Sequence, residues 1–378
     1  GVAFSPAKRL AIAVALAEMG VPELEIGTPA MGDDERDAMR RIAARRLPCR
    51  LTAWCRASCA DIDQAADCGV DAVHLSLPCS PIHLQCLGKR RSWVIRRLRE
   101  TVRYARGRFA YVSIGAQDAS RSDLTFLIRV ARVAQAAGAD RFRLADTVGI
   151  WSPDQTRAAV TAICAAAAHM AIAFHGHNDL GMATANTLAA VAAGAECVDV
   201  TVNGLGERAG NAPLAEVVMA LRLCMQQDAA VDTRRLHEVS RMVALASGRP
   251  VAPDKPIVGH RVFCHESGIH VAALAADPRT YEPFSPEDVG HGRRTFVLGK
   301  HSGSTAVCEV LSRHGIALER QDGRRMLSHV RALARERKGE VTAKELMPLF
   351  VAMGAPVAGC SQQIESLAGP TACSTARS

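Results

Sequence analysis

Residues 173–186 read Ala173-Phe174-His175-Gly176-His177-Asn178-Asp179-Leu180-Gly181-Met182-Ala183-Thr184-Ala185-Asn186, an apolar strand running into polar residues and then into a helix. Side chains at i and i+2 of a strand share one face, so His175 and His177 converge and present two imidazoles to a single divalent ion. A second polar run, Asn203-Gly204-Leu205-Gly206-Glu207-Arg208-Ala209-Gly210-Asn211, follows the next apolar stretch. Its glycines permit tight backbone, and its polar groups are expected to face the same ion. The pair of runs points to a metal enzyme.

Outward from these runs, short apolar or β-branched stretches recur every 20 to 35 residues, separated by Ala- and Arg-rich segments of helical period. Strands are expected at 23–27, 50–55, 72–77, 109–114, 141–145, 171–175 and 197–202. Several are preceded by glycine helix stops, as in Met19-Gly20-Val21, Cys68-Gly69-Val70, Ala137-Gly138-Ala139 and Ala193-Gly194-Ala195. This βα alternation fits either an open doubly wound sheet or a closed barrel. The polar residues Glu25, Asp146, Thr147, His175, His177 and Asn203 all fall at C-terminal strand ends, which form one ring only in a barrel. The expected fold is therefore an α/β (β/α)8 TIM barrel that lacks its first strand in this chain, followed by a mostly helical C-terminal lid region.

The 378 residues are 48% hydrophobic, enough for one large barrel with appendages. No apolar run approaches the roughly 20 residues of a membrane helix, and the opening residues lack a secretory layout, so a cytoplasmic enzyme with no membrane partner is expected. Thirteen cysteines occur without CxxC pairs, the usage of a reducing compartment, with neither disulfides nor a zinc ribbon expected. The net charge of +8 comes from scattered arginines, and aromatics make up only 4%, a poor signature for nucleic acid; a phosphorylated small molecule fits at least as well. Lys89-Arg90-Arg91 and Arg96-Arg97-Leu98-Arg99 have the spacing of a solvated helix face. Asp118, Arg121 and Asp123 read as a helix start. Beyond residue 225 the βα rhythm stops. The organisation expected is a barrel over 1–228, a linker, lid and helical subdomain over 229–352, and a flexible tail over 353–378.

The run 172–185, with its HxHND and spaced small residues, resembles a signature of the alpha-isopropylmalate/homocitrate synthase family. NGLGERAGN (203–211), FCHESGIH (263–270) and VLGKHSG (297–303) match further family segments. The similarity runs in order from residue 1 to about 350. Within the family, AWCR (53–56), RLADTVG (143–149) and the short C-terminal region look most like the nitrogenase-associated homocitrate synthases.

This resemblance implies a Claisen-type condensation of acetyl-CoA with a 2-oxo acid, 2-oxoglutarate for homocitrate synthase, assisted by a divalent cation (Mg, Mn or Zn) that polarises the ketone. It assigns His175, His177 and Asn211 to the metal, with Glu207 and Arg208 bracing the loop, and Glu25 and Thr147 to the substrate. His270 and Tyr281 match lid residues that a partner subunit contributes in an exchanged homodimer, His270 as base or proton relay, while Lys300 and His301 hold the lid. Two departures stand out. Gln117 occupies the position of a family glutamate thought to pair with the lid histidine, and an amide cannot accept a proton as a carboxylate does. The family's first signature, which supplies a metal-binding aspartate and an arginine, is expected just before Gly1, so the chain reads as a fragment of impaired activity. Related readings are a 2-isopropylmalate synthase and, from another class, an inactive remnant serving as an interaction module.

Overall fold

The computed structural model describes residues 2–352, without the side chains of residues 347 and 349–352; the tail expected at 353–378 lies outside the described residues. Seven strands form one parallel sheet in chain order: β1 Glu23–Gly27, β2 Arg50–Arg56, β3 Ala72–Pro78, β4 Tyr111–Gln117, β5 Arg141–Asp146, β6 Ala171–Gly176 and β7 Cys197–Asp199. Helices alternate with them, among them Asp33–Ala43, Cys59–Ala66, Arg91–Arg106, Leu124–Ala137, Pro153–Ala166 and Ala183–Ala192. Such connections place the helices over one face of the sheet. The local sequence explains the boundaries. Asp123 accepts from the backbone of Thr125 and Phe126 at the start of one helix, which then ends where Gly138 takes φ +91°. Ser152 and Gln155 close a capping box at the start of the next.

Two strands differ from expectation at their ends. The fourth begins at Tyr111 rather than Phe109, because the amide of Phe109 still donates to Ala105 as the preceding helix unwinds. The seventh stops at Asp199 rather than Val202; Thr201 makes an isolated bridge with Pro213, and the chain then turns through Val202–Gly204 with Asn203 at φ +60°.

The sheet is curled into a barrel wall, and side-chain contacts show it. Neighbouring strands lie about 4.8 Å apart, so β1 and β5 would be roughly 19 Å apart in a flat sheet. Yet Arg141 on β5 meets Glu23 on β1 at 2.6 and 2.8 Å. Arg143, also on β5, meets Glu25 on β1 at 3.0 Å and Asp199 on β7 at 2.9 Å. Among the described residues β1 and β7 are the sheet's edges, one strand fewer than a closed (β/α)8 barrel. The outward positions of the strands, including Leu75, Ile114, Phe142, Leu144 and Phe174, are fully buried beneath the helices with Leu98, Leu127 and Ile163. Each large side chain so buried contributes about 1.5–3 kcal/mol.

The chain forms two compact units, Gly1–Gly259 and His260–Ser378. The helix Leu236–Ser247 and the Pro-rich segment after it stay with the barrel, tied by Arg235 to Glu18 at 3.2 Å and Lys255 to Glu216 at 2.8 Å. The second unit is mostly helical, with a small parallel pair of strands, β8 Cys264–His265 and β9 Thr295–Phe296, and its own core around Val271, Leu298, Val307, Leu311, Met326 and Val330. No helix among the described residues is long and apolar enough to cross a membrane.

Candidate active site

His175 is the inward residue near the end of β6, and His177 follows just past the strand. Their Nε2 atoms face each other at 3.3 Å. Two imidazole nitrogens bound about 2.0–2.1 Å from one ion lie roughly 3 Å apart, so the pair is spaced to chelate. His175 Nδ1 lies 3.0 Å from Asp199 Oδ2, whereas His177 Nδ1 is buried without a partner. Burial, the neighbouring His175 and then Arg208 push the His177 imidazole down to about 4. It is neutral at pH 7, the form that ligates a metal. Burial works against the Asp199 carboxylate, but the Arg143 charge and the His175 contact hold it well below the usual carboxylate range.

Asn211 reaches this place through an isolated antiparallel bridge to His177. Its Nδ2 donates to Leu205 O at 3.1 Å, while its Oδ1 is buried without a partner. An orphaned amide oxygen is costly unless something outside the chain satisfies it. Two facing imidazole nitrogens and this oxygen fit part of a divalent-ion ligand set. Among the described residues no group of three or more His, Cys, Asp or Glu side chains is arranged to hold a metal, so the set is incomplete in carboxylates.

Of Glu207 and Arg208, Arg208 makes the side-chain bonds within this loop cluster. Its guanidinium spans Asp179 at 2.6 and 2.8 Å and Thr147 O at 2.6 Å, joining the loops after β5 and β6. Glu207 is exposed, and its carbonyl accepts from Gly210. Gly149 lets these loops pack closely: its φ is +62°, and a Cβ there would lie 2.8 Å from Asp179 Oδ2 and 2.9 Å from His177 O. Asp146, fully buried, accepts from the backbone of Ile150 and Trp151 and so shapes the turn rather than facing the histidines. Asn203 likewise turns aside, pairing with Ser240 at 2.6 and 2.9 Å.

Glu25 enters the barrel interior on β1 and is held by Arg143. Thr147 lies just past β5, its Oγ1 accepting from Asp118 N at 2.8 Å. Gln117 is the last residue of β4, half-buried, in register with Pro78 on β3. Asp118 then breaks the strand at φ +59° and closes on Arg121 at 2.8 Å.

In the second unit, His270 stands in the first turn of the helix Gly268–Ala276 and stacks on Tyr281, ring centroids 3.9 Å apart. His265 lies 6.5 Å from His270 by ring centroids and contacts Glu282 at 3.2 Å; Arg294 grips the same carboxylate at 2.8 Å. The amide of His301 donates to Glu266 at 2.8 Å, which ties VLGKHSG to FCHESGIH.

The polar barrel interior carries no recognisable motif; it consists of Glu23, His74, Ser113, Arg141, Arg143 and Asp199. His74 is fully buried, bonded through Nδ1 to Ser113 Oγ at 2.9 Å, and burial together with Arg143 drives its imidazole well below its ordinary value. The available signal was period two. Glu23 and Glu25, and Arg141 and Arg143, are charges at alternate positions of otherwise apolar strands, which points both members of each pair to one face.

The HMGL-like family model matches residues 1–243, and the model described as homocitrate synthase post-HMGL domain-like matches 257–338. The chain is 48% identical over 351 residues to 2-isopropylmalate synthase 2 of Caldanaerobacter subterraneus subsp. tengcongensis, covering 93% of this chain and 91% of the relative. It is 44% identical to homocitrate synthase 1 of Nostoc sp., covering 92% of each. It is also 44% identical to 2-phosphonomethylmalate synthase of Streptomyces rubellomurinus, covering 93% and 94%. Among solved structures, the HMG-CoA lyase of Bacillus subtilis superposes with a TM-score of 0.59 over 66% of this chain and 89% of that one; at 19% identity this likeness speaks to fold alone. A family match over most of the barrel and relatives aligned along nearly their whole length agree: the chain belongs to the HMGL-like family, in the branch that carries a homocitrate synthase-type segment after the barrel.

Proposed function

We propose that the chain is an acyltransferase that condenses acetyl-CoA with a 2-oxo acid. The observation that carries this reading is the facing pair of His175 and His177 nitrogens beside the unsatisfied Asn211 oxygen, at the strand-end mouth where (β/α)8 enzymes work. A divalent ion held there supplies Lewis-acid polarisation of the acceptor's ketone. Glu25 and Thr147 orient the acceptor, and His270 takes a proton from the acetyl methyl group as that carbon bonds to the ketone carbon. The former ketone oxygen gains a proton, and water then cleaves the thioester to release CoA and a carboxylate.

Two features support the partners of this reaction. A cavity of about 240 Å³ lies along 203–210 and 249–255, lined by Arg208, Arg249 and Lys255; Arg208 and Lys255 are paired with Asp179 and Glu216, and Arg249 is the cation we assign to a phosphate of an acyl-CoA. The segments that follow β1, β3, β4, β5 and β6, helix starts among them, expose Met31, Ile82, Leu124, Ile150 and Leu180. An apolar rim of this kind supports coverage by a lid, which we assign to the His270 unit of a second copy in a homodimer.

The acceptor we favour is 2-oxoglutarate, giving homocitrate, on the resemblance of 53–56 and 143–149 to the homocitrate synthases that serve nitrogenase. The 48% identity to a 2-isopropylmalate synthase supports 2-oxoisovalerate as a second reading. CoA release and product mass from the protein, given acetyl-CoA and each 2-oxo acid in turn, test both. Release that depends on 2-oxoglutarate and yields homocitrate is expected. Preference for 2-oxoisovalerate selects the second reading, and release independent of any 2-oxo acid contradicts both.

A further inference from the structure

We propose that Asp199 and Arg143 are positioning residues for His175: the carboxylate fixes which ring nitrogen of the imidazole faces His177, and the guanidinium holds that carboxylate in place. The proposal rests on the reading of His175 as a metal ligand and names two residues that its motif does not contain.

A histidine ligates through one ring nitrogen, and which one carries the lone pair is set by what the other nitrogen touches. Asp199 can only accept, so Nδ1 of His175 carries the hydrogen and Nε2, the atom facing His177, is left with its lone pair. This contact is built into the backbone. His175 and Asp199 are register partners on adjacent strands, both directed inward, and Asp199 is the last residue of β7. His177 has no such anchor, its Nδ1 being buried without a partner. The two imidazoles are therefore unequal, and only His175 is held from behind.

Arg143 completes the arrangement. Its side chain is only 7% exposed, and its Nε lies 2.9 Å from the same Asp199 oxygen that meets His175. The N–H is not aimed along that line, so the contact is one of charge rather than an aligned hydrogen bond. Another arm of the guanidinium donates to Glu25 at 3.0 Å. One buried cation thus links the carboxylate behind His175 to the carboxylate assigned to the acceptor, and displacement of either is felt by the other. Partners of this kind behind a metal-binding histidine typically govern affinity by 10–100-fold.

The test combines imidazole 15N NMR of the metal-free protein with Co2+ titration of wild type, Asp199→Ala, Asp199→Asn and His177→Ala. The expected results are a His175 ring protonated at Nδ1 in wild type, and Co2+ affinity about 10–100-fold weaker in Asp199→Ala. Asp199→Asn, which retains an acceptor oxygen at the same reach, is expected to recover most of that loss. A purely structural ion pair would alter thermal stability without moving the tautomer. Wild-type Co2+ affinity in a folded Asp199→Ala, or His175 protonated at Nε2 in wild type, overturns the proposal. Should Asp199→Ala not fold, the wild-type tautomer and the Asn variant decide. Equal Co2+ affinity in wild type and His177→Ala overturns the metal reading itself, and the proposal with it.

Discussion

Arg141 and Glu23 meet end to end inside the barrel, Nη1 to Oε2 at 2.8 Å and Nη2 to Oε1 at 2.6 Å, although their strands are four places apart in the sheet. Thr52 and Arg50 on β2 add bonds to the same carboxylate at 2.7 and 3.2 Å. The pair crosses the interior of a sheet whose edge strands β1 and β7 do not pair with each other. It is a main tie between the two sides of the wall.

Glu23→Gln should destabilise the barrel by about 3–5 kcal/mol at pH 7, because Arg141 is left buried without its counter-charge. Burial raises the Glu23 carboxyl, but Arg141, Thr52 and Arg50 outweigh it and hold the group below its ordinary value. A depressed carboxylate contributes stability above its unfolded pKa, about 4.3, and loses it as pH falls through the folded value. Urea denaturation at about pH 7 and pH 3 should show the gap between wild type and variant narrowing in acid.

Gln117→Glu places a carboxylate at the end of β4. If this position belongs to the proton relay with His270, kcat rises and its pH profile gains an acidic limb, with KM for the 2-oxo acid little changed. Steady-state kinetics across pH checks this; unchanged kcat removes Gln117 from the relay.

Most of the architecture was legible in the sequence because strand period, glycine helix stops and polar strand ends are local signals. The same locality explains the errors. Phe109 reads as strand by composition, yet the unwinding helix claims its amide, and 200–202 read as strand although the Thr201–Pro213 bridge and the Asn203 turn end β7 early. In the site, His175 and His177 were visible because they are two residues apart. Asp199 was not, because it is 24 residues from His175 and meets it only through strand register. Asn203 falls at a strand end, and nothing in its neighbourhood reveals that Ser240, 37 residues on, binds its side chain.

Gly149→Ala forces a Cβ into a left-handed position 2.8–2.9 Å from Asp179 and His177. The backbone must shift, at a cost of about 1–3 kcal/mol. Since that shift moves the loop bearing His177, metal affinity should fall together with the thermal midpoint. Calorimetry and metal titration on the same sample check both, and a lowered midpoint with wild-type affinity would uncouple Gly149 from the site.

In the exchanged homodimer proposed above, His270 and His177 are members of one site drawn from two chains. His270→Ala and His177→Ala should each be inactive as homodimers, and subunit exchange should restore up to about a quarter of the wild-type activity, since half of the dimers are mixed and each holds one intact site. Activity after verified exchange checks this, and heterodimers as inactive as both parents contradict a shared site.

The central claim is that His175 and His177 hold one divalent ion through their Nε2 atoms. Pulsed electron paramagnetic resonance of the Mn2+-loaded protein tests it most directly, because an imidazole bound through one nitrogen modulates the echo through its nitrogens. Nitrogen modulation from two imidazoles is expected at one Mn2+ per chain, reduced to one in either His175→Ala or His177→Ala. Modulation that is absent from wild type, or unchanged in both variants, would contradict it.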